Sequence, residues 1–262
     1  MHRIFTGLML LAAMGCTTDG LIRTEIVVAP SEISAEPHPH LPLSIERYPD
    51  FRLGVIELND AGEPRSLTQE KAVLSEIDEL GSKGSLTLVT FVHGWHHGAE
   101  VDDANVVAFR DVLRKLSAPD SGVRGPIMGV YLAWRGEPFK GRWAKNWVSN
   151  LSFWNREAKA HHIGARGGEM VLRELNARIS TLRREGKTVT MVTVGHSFGA
   201  LLVLTAVAAE MIDYEHCLDK PFCWPPMRKD PGRAFGDLVV LINPAVEAER
   251  FVPFDIYSRQ VR

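Results

Sequence analysis

The sequence predicts an α/β domain: a mostly parallel central sheet with helices on both faces. Three observations carry this. Runs such as Leu86-Thr87-Leu88-Val89-Thr90-Phe91-Val92 and residues 127–133 are apolar and β-branched without strict alternation, the pattern of strands covered on both faces. Amphipathic helical stretches separate these runs, so strand and helix alternate along the chain. A third run, residues 188–194, passes through Gly195-His196-Ser197-Phe198-Gly199 straight into a small-residue apolar stretch, 200–206. That is a strand turning sharply into a helix with Ser at the apex.

The elements follow in order. A strand over 51–58 ends in a turn at Asn59-Asp60-Ala61-Gly62, and a helix over 68–80 stops before Gly81. After the strand at 86–92, Asp103 caps a helix whose Val106, Phe109, Leu113 and Leu116 share one face. A strand at 127–133 is followed by a helix over about 166–185, with Val171, Leu175, Ile179 and Leu182 inward and Gly186 as its stop. Residues 189–194 lead into the Ser197 turn, a helix runs on to about 214, and 237–242 is the last strand. No internal repeat is visible. Ahead of the domain (51–262), residues 17–50 read as a tether punctuated by Pro30, Pro37, Pro39, Pro42 and Pro49. Two segments interrupt the alternation. Residues 135–162 hold Phe139, Trp143, Trp147, Phe153 and Trp154, either a lid or wall over a pocket that touches acyl chains or lipid, or an insertion packed onto the domain by those aromatics. Residues 216–232 form a Cys-bearing loop.

Bulk properties bound the function. A chain of 262 residues holds one sizeable α/β domain or two small ones, and 45% hydrophobic with 24% charged residues is ordinary for a globular protein. A net charge of −2 argues against nucleic acid as a partner, which would call for a clustered basic excess. At the N-terminus, Arg3 precedes an apolar stretch, 4–15, too short to span a bilayer as a helix, the form of an export signal. It ends in Leu11-Ala12-Ala13-Met14-Gly15-Cys16, which resembles the lipobox of bacterial lipoproteins. The resemblance implies a signal peptide over 1–16, lipid on Cys16, and a place in the bacterial cell envelope. Thr18, rather than Asp, at the second position after the Cys points to the outer membrane. The other reading is a plain secretory signal or an uncleaved anchor. Cys217 and Cys223 are placed for a disulfide in an oxidising compartment, or remain free thiols; with His216 they lack a fourth ligand for zinc, and no metal is expected.

Three segments together resemble the α/β-hydrolase superfamily, in particular lipase- and esterase-like bacterial lipoproteins, from about residue 51 onward. Phe91-Val92-His93-Gly94-Trp95 is similar to the HG segment of its oxyanion loop, Gly195-His196-Ser197-Phe198-Gly199 to its nucleophile elbow, and Leu241-Ile242-Asn243-Pro244-Ala245 to the exit of the next strand. The resemblance implies a serine hydrolase of carboxylic esters, lipid or acyl esters foremost, without organic cofactor. Ser197 would form the acyl-enzyme, and the backbone N–H groups of Phe198 and Trp95 would hold the oxyanion. Against this stands an inert elbow serine on a non-catalytic binding or scaffold protein; a peptidase or thioesterase is a third reading. His93 reads as loop-shaping, and His196 as packing or touching a neighbouring loop.

The acid and base are harder to place. The family order is Ser, then Asp or Glu, then His. His216 alone among histidines follows Ser197, and a helix running to about 214 would carry it over roughly 20 Å away. Glu247, Glu249 and Asp255 follow the last strand as acid candidates or ordinary surface carboxylates, while His96 and His97 lie beside the oxyanion loop as base candidates from an unusual point in the order. The family's last two strands, which carry its acid and histidine, have no counterpart, so the domain is expected to be incomplete after the strand that follows the nucleophile helix. The chain is then a truncated product of a longer hydrolase, or a shortened protein that has lost catalysis, with a sheet edge needing a cover or partner.

Overall fold

A computed structural model describes residues 20–27, 41–94, 97–134, 168–218 and 235–260, with side chains described for all of these except 27, 209–218 and 257–260. Its strands are β1 (Glu25–Val27), β2 (Leu43–Arg47), β3 (Phe51–Glu57), β4 (Ser85–Val92), β5 (Ile127–Ala133), β6 (Thr188–His196) and β7 (Leu238–Ile242). They form one sheet in the order β1-β2-β3-β5-β4-β6-β7. Only the β2–β3 pair is antiparallel. The helices are α1 (Leu67–Gly81), α2 (Ala104–Ser117), α3 (Glu169–Arg184), α4 (Phe198–Leu218) and α5 (Val252–Gln260), the last preceded by a 3-10 turn, Ala248–Phe251. This is an α/β architecture with a mostly parallel sheet.

Two apolar cores lie on opposite faces. On one, α1, α3 and the first half of α4 set Val73, Ile77, Leu175, Ile179, Leu201 and Val203 against Leu88, Met128, Val130 and Met191. On the other, α2 sets Val106, Phe109 and Leu113 against Leu53, Val55, Val89 and Tyr131. The chain leaving β4 therefore turns to one face and the chain leaving β6 to the other. In an open parallel sheet such a divergence opens a crevice between the carboxyl ends of adjacent strands, the usual place for a ligand. Beyond β6 the sheet is thinly covered. Leu238 is 53% and Ile242 43% exposed, and among the described residues β7 has no partner on its outer side.

Residues 17–50, expected as a tether, contain β1 and β2. Leu43 and Ile45 are buried, and Arg23 is fully buried. The strands escape pattern reading because they are three and five residues long, and because buried charges, Arg23 just before β1 and Glu46 within β2, accompany them. Arg23 donates to Glu46 Oε1 (2.7 Å), and Arg110 of α2 donates to both oxygens of the same carboxylate (2.7 and 3.0 Å). Tyr48 donates to Glu46 Oε2 (2.8 Å). A buried ion cluster makes a core strand look like solvated chain. The helix at 252–260 also lies where no element was expected.

Candidate active site

The elbow is built by two close approaches. A Cβ on Gly199 would fall onto the carbonyl oxygens of Val92 and His93, and one on Gly195 onto the backbone of Ala200. Without those side chains, β6 turns into α4 directly against the end of β4. Ser197 takes φ +54°, left-handed backbone that non-glycine residues adopt at a cost of roughly 1–2 kcal/mol. The turn is latched on the β7 side: Ser197 N–H donates to the Ile242 carbonyl (2.9 Å), and the Ala245 N–H donates to the Ser197 carbonyl (3.2 Å). Asn243, at φ +43°, bends the β7 exit to make that latch.

On the other side lies the loop after β4. A Cβ on Gly94 would stand 3.1 Å from Ser197 Cβ and 3.1 Å from His196 Nδ1, so this loop abuts the serine. His93 holds it. Its Nδ1–H donates to the Gly94 carbonyl (2.7 Å), and its Nε2 accepts from the Trp134 N–H (3.0 Å), which fixes the tautomer. The Trp134 indole N–H donates to the His93 carbonyl (2.7 Å), tying the loop to the exit of β5. Burial pushes the imidazole down from its ordinary value near 6.5 to about 4. With both nitrogens engaged and no exposed surface, His93 is a neutral strut, not a base.

This has a measurable consequence. The depressed value means the folded state refuses a proton that the unfolded chain accepts. Stability from His93 is therefore full above about pH 6.5 and is lost as pH falls towards 4, by up to about 3 kcal/mol. Urea denaturation between pH 7 and 4 should show this slope, and His93→Asn should flatten it; an unchanged slope would refute the assignment.

His97 is placed differently. Its Nδ1 meets both oxygens of Asp103 (3.1 and 3.2 Å), and the same carboxylate accepts from Gly98 N–H (3.2 Å) and Asn105 N–H (2.8 Å) while capping α2. A carboxylate only accepts, so Nδ1 carries the proton and Nε2 is left as the basic nitrogen. Among the described residues His97 is the one imidazole bonded to a carboxylate. Asp103 is legible in the sequence as a cap but not in this second role, because a six-residue spacing around a loop carries no periodic signal. His196 is half-buried, with Nδ1 unsatisfied among the described residues.

The remaining expected residues are scattered. Phe198 is buried at the start of α4. Trp95 and His96 lie outside the described residues, as do Cys16, Cys223 and residues 135–162. His216 and Cys217 sit in α4, whose continuous course carries position 216 about 27 Å along the axis from Phe198. Glu247 is exposed and faces Arg250 (3.5 Å), and Glu249 and Asp255 are exposed too, in the 3-10 turn and the first turn of α5. Among the described residues no hydrogen bond joins the Ser197 hydroxyl to an imidazole, and no cluster of three or more His, Cys, Asp or Glu converges as a metal site. A surface groove between α1 and α3, lined by Asp78, Ser82, Glu174, Arg178 and Glu185, is at the opposite end of the sheet. No protein-family model, curated protein or solved structure matches the chain.

Proposed function

We propose that the protein is a serine hydrolase of carboxylic esters on an α/β-hydrolase fold, tethered to the bacterial envelope through Cys16. The observation that carries this is Ser197 itself, held in left-handed backbone between β6 and α4 with Gly94 against it. A strained turn that neighbouring elements over-determine is a costly way to place an ordinary surface serine, and strain of this kind clusters at sites of function. The strand order supports the same reading. The antiparallel β2–β3 pair leads into parallel β5, β4, β6 and β7, and the serine sits at the crevice where the β4 and β6 connections diverge.

In this reading Ser197 Oγ attacks the ester carbonyl and the alcohol leaves, giving an acyl-enzyme that water hydrolyses. The N–H groups of Phe198 and Trp95 stabilise the oxyanion, helped by the N-terminus of α4. His97, oriented by Asp103, is the candidate for proton transfer within the described loop. Lipid or acyl esters are the favoured substrates, given the anchor. The alternative is a non-catalytic binding or scaffold protein on the same fold. A fluorophosphonate probe decides between them. Stoichiometric labelling at Ser197, lost on denaturation, is expected; an unlabelled serine in folded protein would leave the scaffold.

A further inference from the structure

The chain enters the fold at the end of the sheet that holds Ser197. The backbone N–H groups of Ile22 and Arg23 donate to the carboxylate of Glu57, the last residue of β3, at 3.0 and 2.8 Å. The Gly20 carbonyl accepts from Arg65 Nη1 (3.4 Å), just past the same strand. The Arg23 guanidinium reaches on to the Ala99 carbonyl in the loop after β4. The pairing explains the placement: β1 is parallel to β2, and β2 is antiparallel to β3. The N-terminal end of β1 therefore lies at the carboxyl ends of the parallel strands.

Distances follow from the lattice of the sheet. Glu57 pairs with Ala133, and β5, β4 and β6 follow in order, so three strand spacings, about 14 Å, separate Glu57 from the β6 end that carries Ser197. Cys16 precedes Gly20 by four residues, which span at most about 14 Å when fully extended. Had the whole of 17–50 been flexible, its root-mean-square reach would be about 30 Å, and its extended length above roughly 100 Å. The built-in β1 removes that freedom.

We propose that an anchor on Cys16 holds the Ser197 end of the sheet against the membrane, so that the substrate is an acyl ester resident in the same membrane rather than a soluble one. This rests on the Cys16 and Ser197 readings above. The ester carbonyl of a membrane lipid lies at the boundary of headgroup and acyl chain. A site held within about 30 Å of that boundary, and at the anchored end of the domain, meets its substrate at a raised effective concentration and without extracting it into water.

The test uses the full lipidated chain in phosphatidylethanolamine/phosphatidylglycerol vesicles, with and without a 20-residue Gly/Ser insertion between Thr18 and Asp19. Turnover of a fluorogenic acyl phospholipid in the bilayer should fall at least about tenfold on insertion, while that of soluble p-nitrophenyl butyrate stays level. Equal effects on both substrates, or none, would overturn the proposal. Orientation is read independently of activity, by energy transfer to a headgroup acceptor from a dye at Ala61, beyond the carboxyl end of β3, or at Lys83, before β4. Transfer should be stronger from 61, and the insertion should equalise the two; equal transfer without the insertion also overturns it. Cys16→Ser protein that stays with the vesicles would refute the anchor, and an unlabelled, inactive Ser197 would refute the nucleophile. The orientation measurement stands in either case.

Discussion

Replacing Ser197 with alanine is expected to remove esterase turnover, by at least about 10³-fold against p-nitrophenyl butyrate, while the protein stays folded. The size follows from chemistry. Without Oγ no acyl-enzyme forms, and what remains is whatever the oxyanion donors and substrate binding give to direct attack by water. The fold should be indifferent, because the latch around residue 197 is made by backbone. Its N–H bonds Ile242 and its carbonyl accepts from Ala200, Leu201 and Ala245, none of which involves the hydroxyl. Alanine at φ +54° carries about the same strain as serine, so melting should shift by no more than about 1 kcal/mol in stability. Activity that survives in folded Ser197→Ala protein would place the nucleophile elsewhere. Activity lost together with the fold would mean that the turn depends on the hydroxyl in a way the geometry does not show.

The same elbow explains what could be read in advance. Its signature is local: β-branched residues, two glycines that neighbouring backbone leaves no room to replace, then small apolar residues, all within about twenty positions. Central strands were legible for a similar reason, since β3 to β7 are rich in apolar and β-branched residues and the expected limits fall within a residue or two of the observed ones. β1 and β2 were not legible, because a segment that buries Arg23 just ahead of β1 and Glu46 within β2 violates the rule that reads charge as solvent. The site divides along the same line. Ser197 and the His93-Gly94 segment are each marked by short-range sequence, whereas the approach of one to the other is made by the pairing of β4 with β6. The Asp103–His97 bond is a loop contact, and no periodicity announces it. The acid and base of the family order depend on residues brought together from distant positions, and spacing alone does not encode that. Glu247, Glu249 and Asp255 illustrate the problem: correct in chain order, they lie exposed in the 3-10 turn and α5 segment after β7.

Glu46 is expected to be the most stability-sensitive residue of the structure: Glu46→Gln should cost about 3–5 kcal/mol by urea denaturation at pH 7. Arg23 has no exposed surface, and its guanidinium is held by Glu46 and by the carbonyls of Leu43 and Ala99, with Nη2 unsatisfied among the described residues. Arg110 rests on the same carboxylate and on the Val101 carbonyl. Removing the one negative charge leaves two guanidinium groups facing each other out of water. That penalty, rather than any large net worth of the cluster, sets the expected loss. Replacing all three by apolar residues (Arg23→Met, Glu46→Leu, Arg110→Met) should therefore recover most of it. The pH dependence is a second signature. Burial alone would raise the Glu46 carboxyl, but hydrogen bonding and charge from Arg110 and then Arg23 hold it below its ordinary value of 4.5. Its contribution is thus complete above the unfolded value and lost as pH falls through the lowered folded value. The gap between wild type and Glu46→Gln should stay level from pH 8 to about 5 and narrow only in stronger acid, below most of the window in which His93 acts. Since Arg23 and Arg110 grip Ala99 and Val101, the loop that carries His97 should loosen with the cluster. Amide exchange at residues 97–103 should rise in Glu46→Gln well before exchange in β4 and β5. A variant that keeps full stability, or one whose loop exchanges no faster than the sheet, would show that β1 and β2 are appended to the domain without bracing its site.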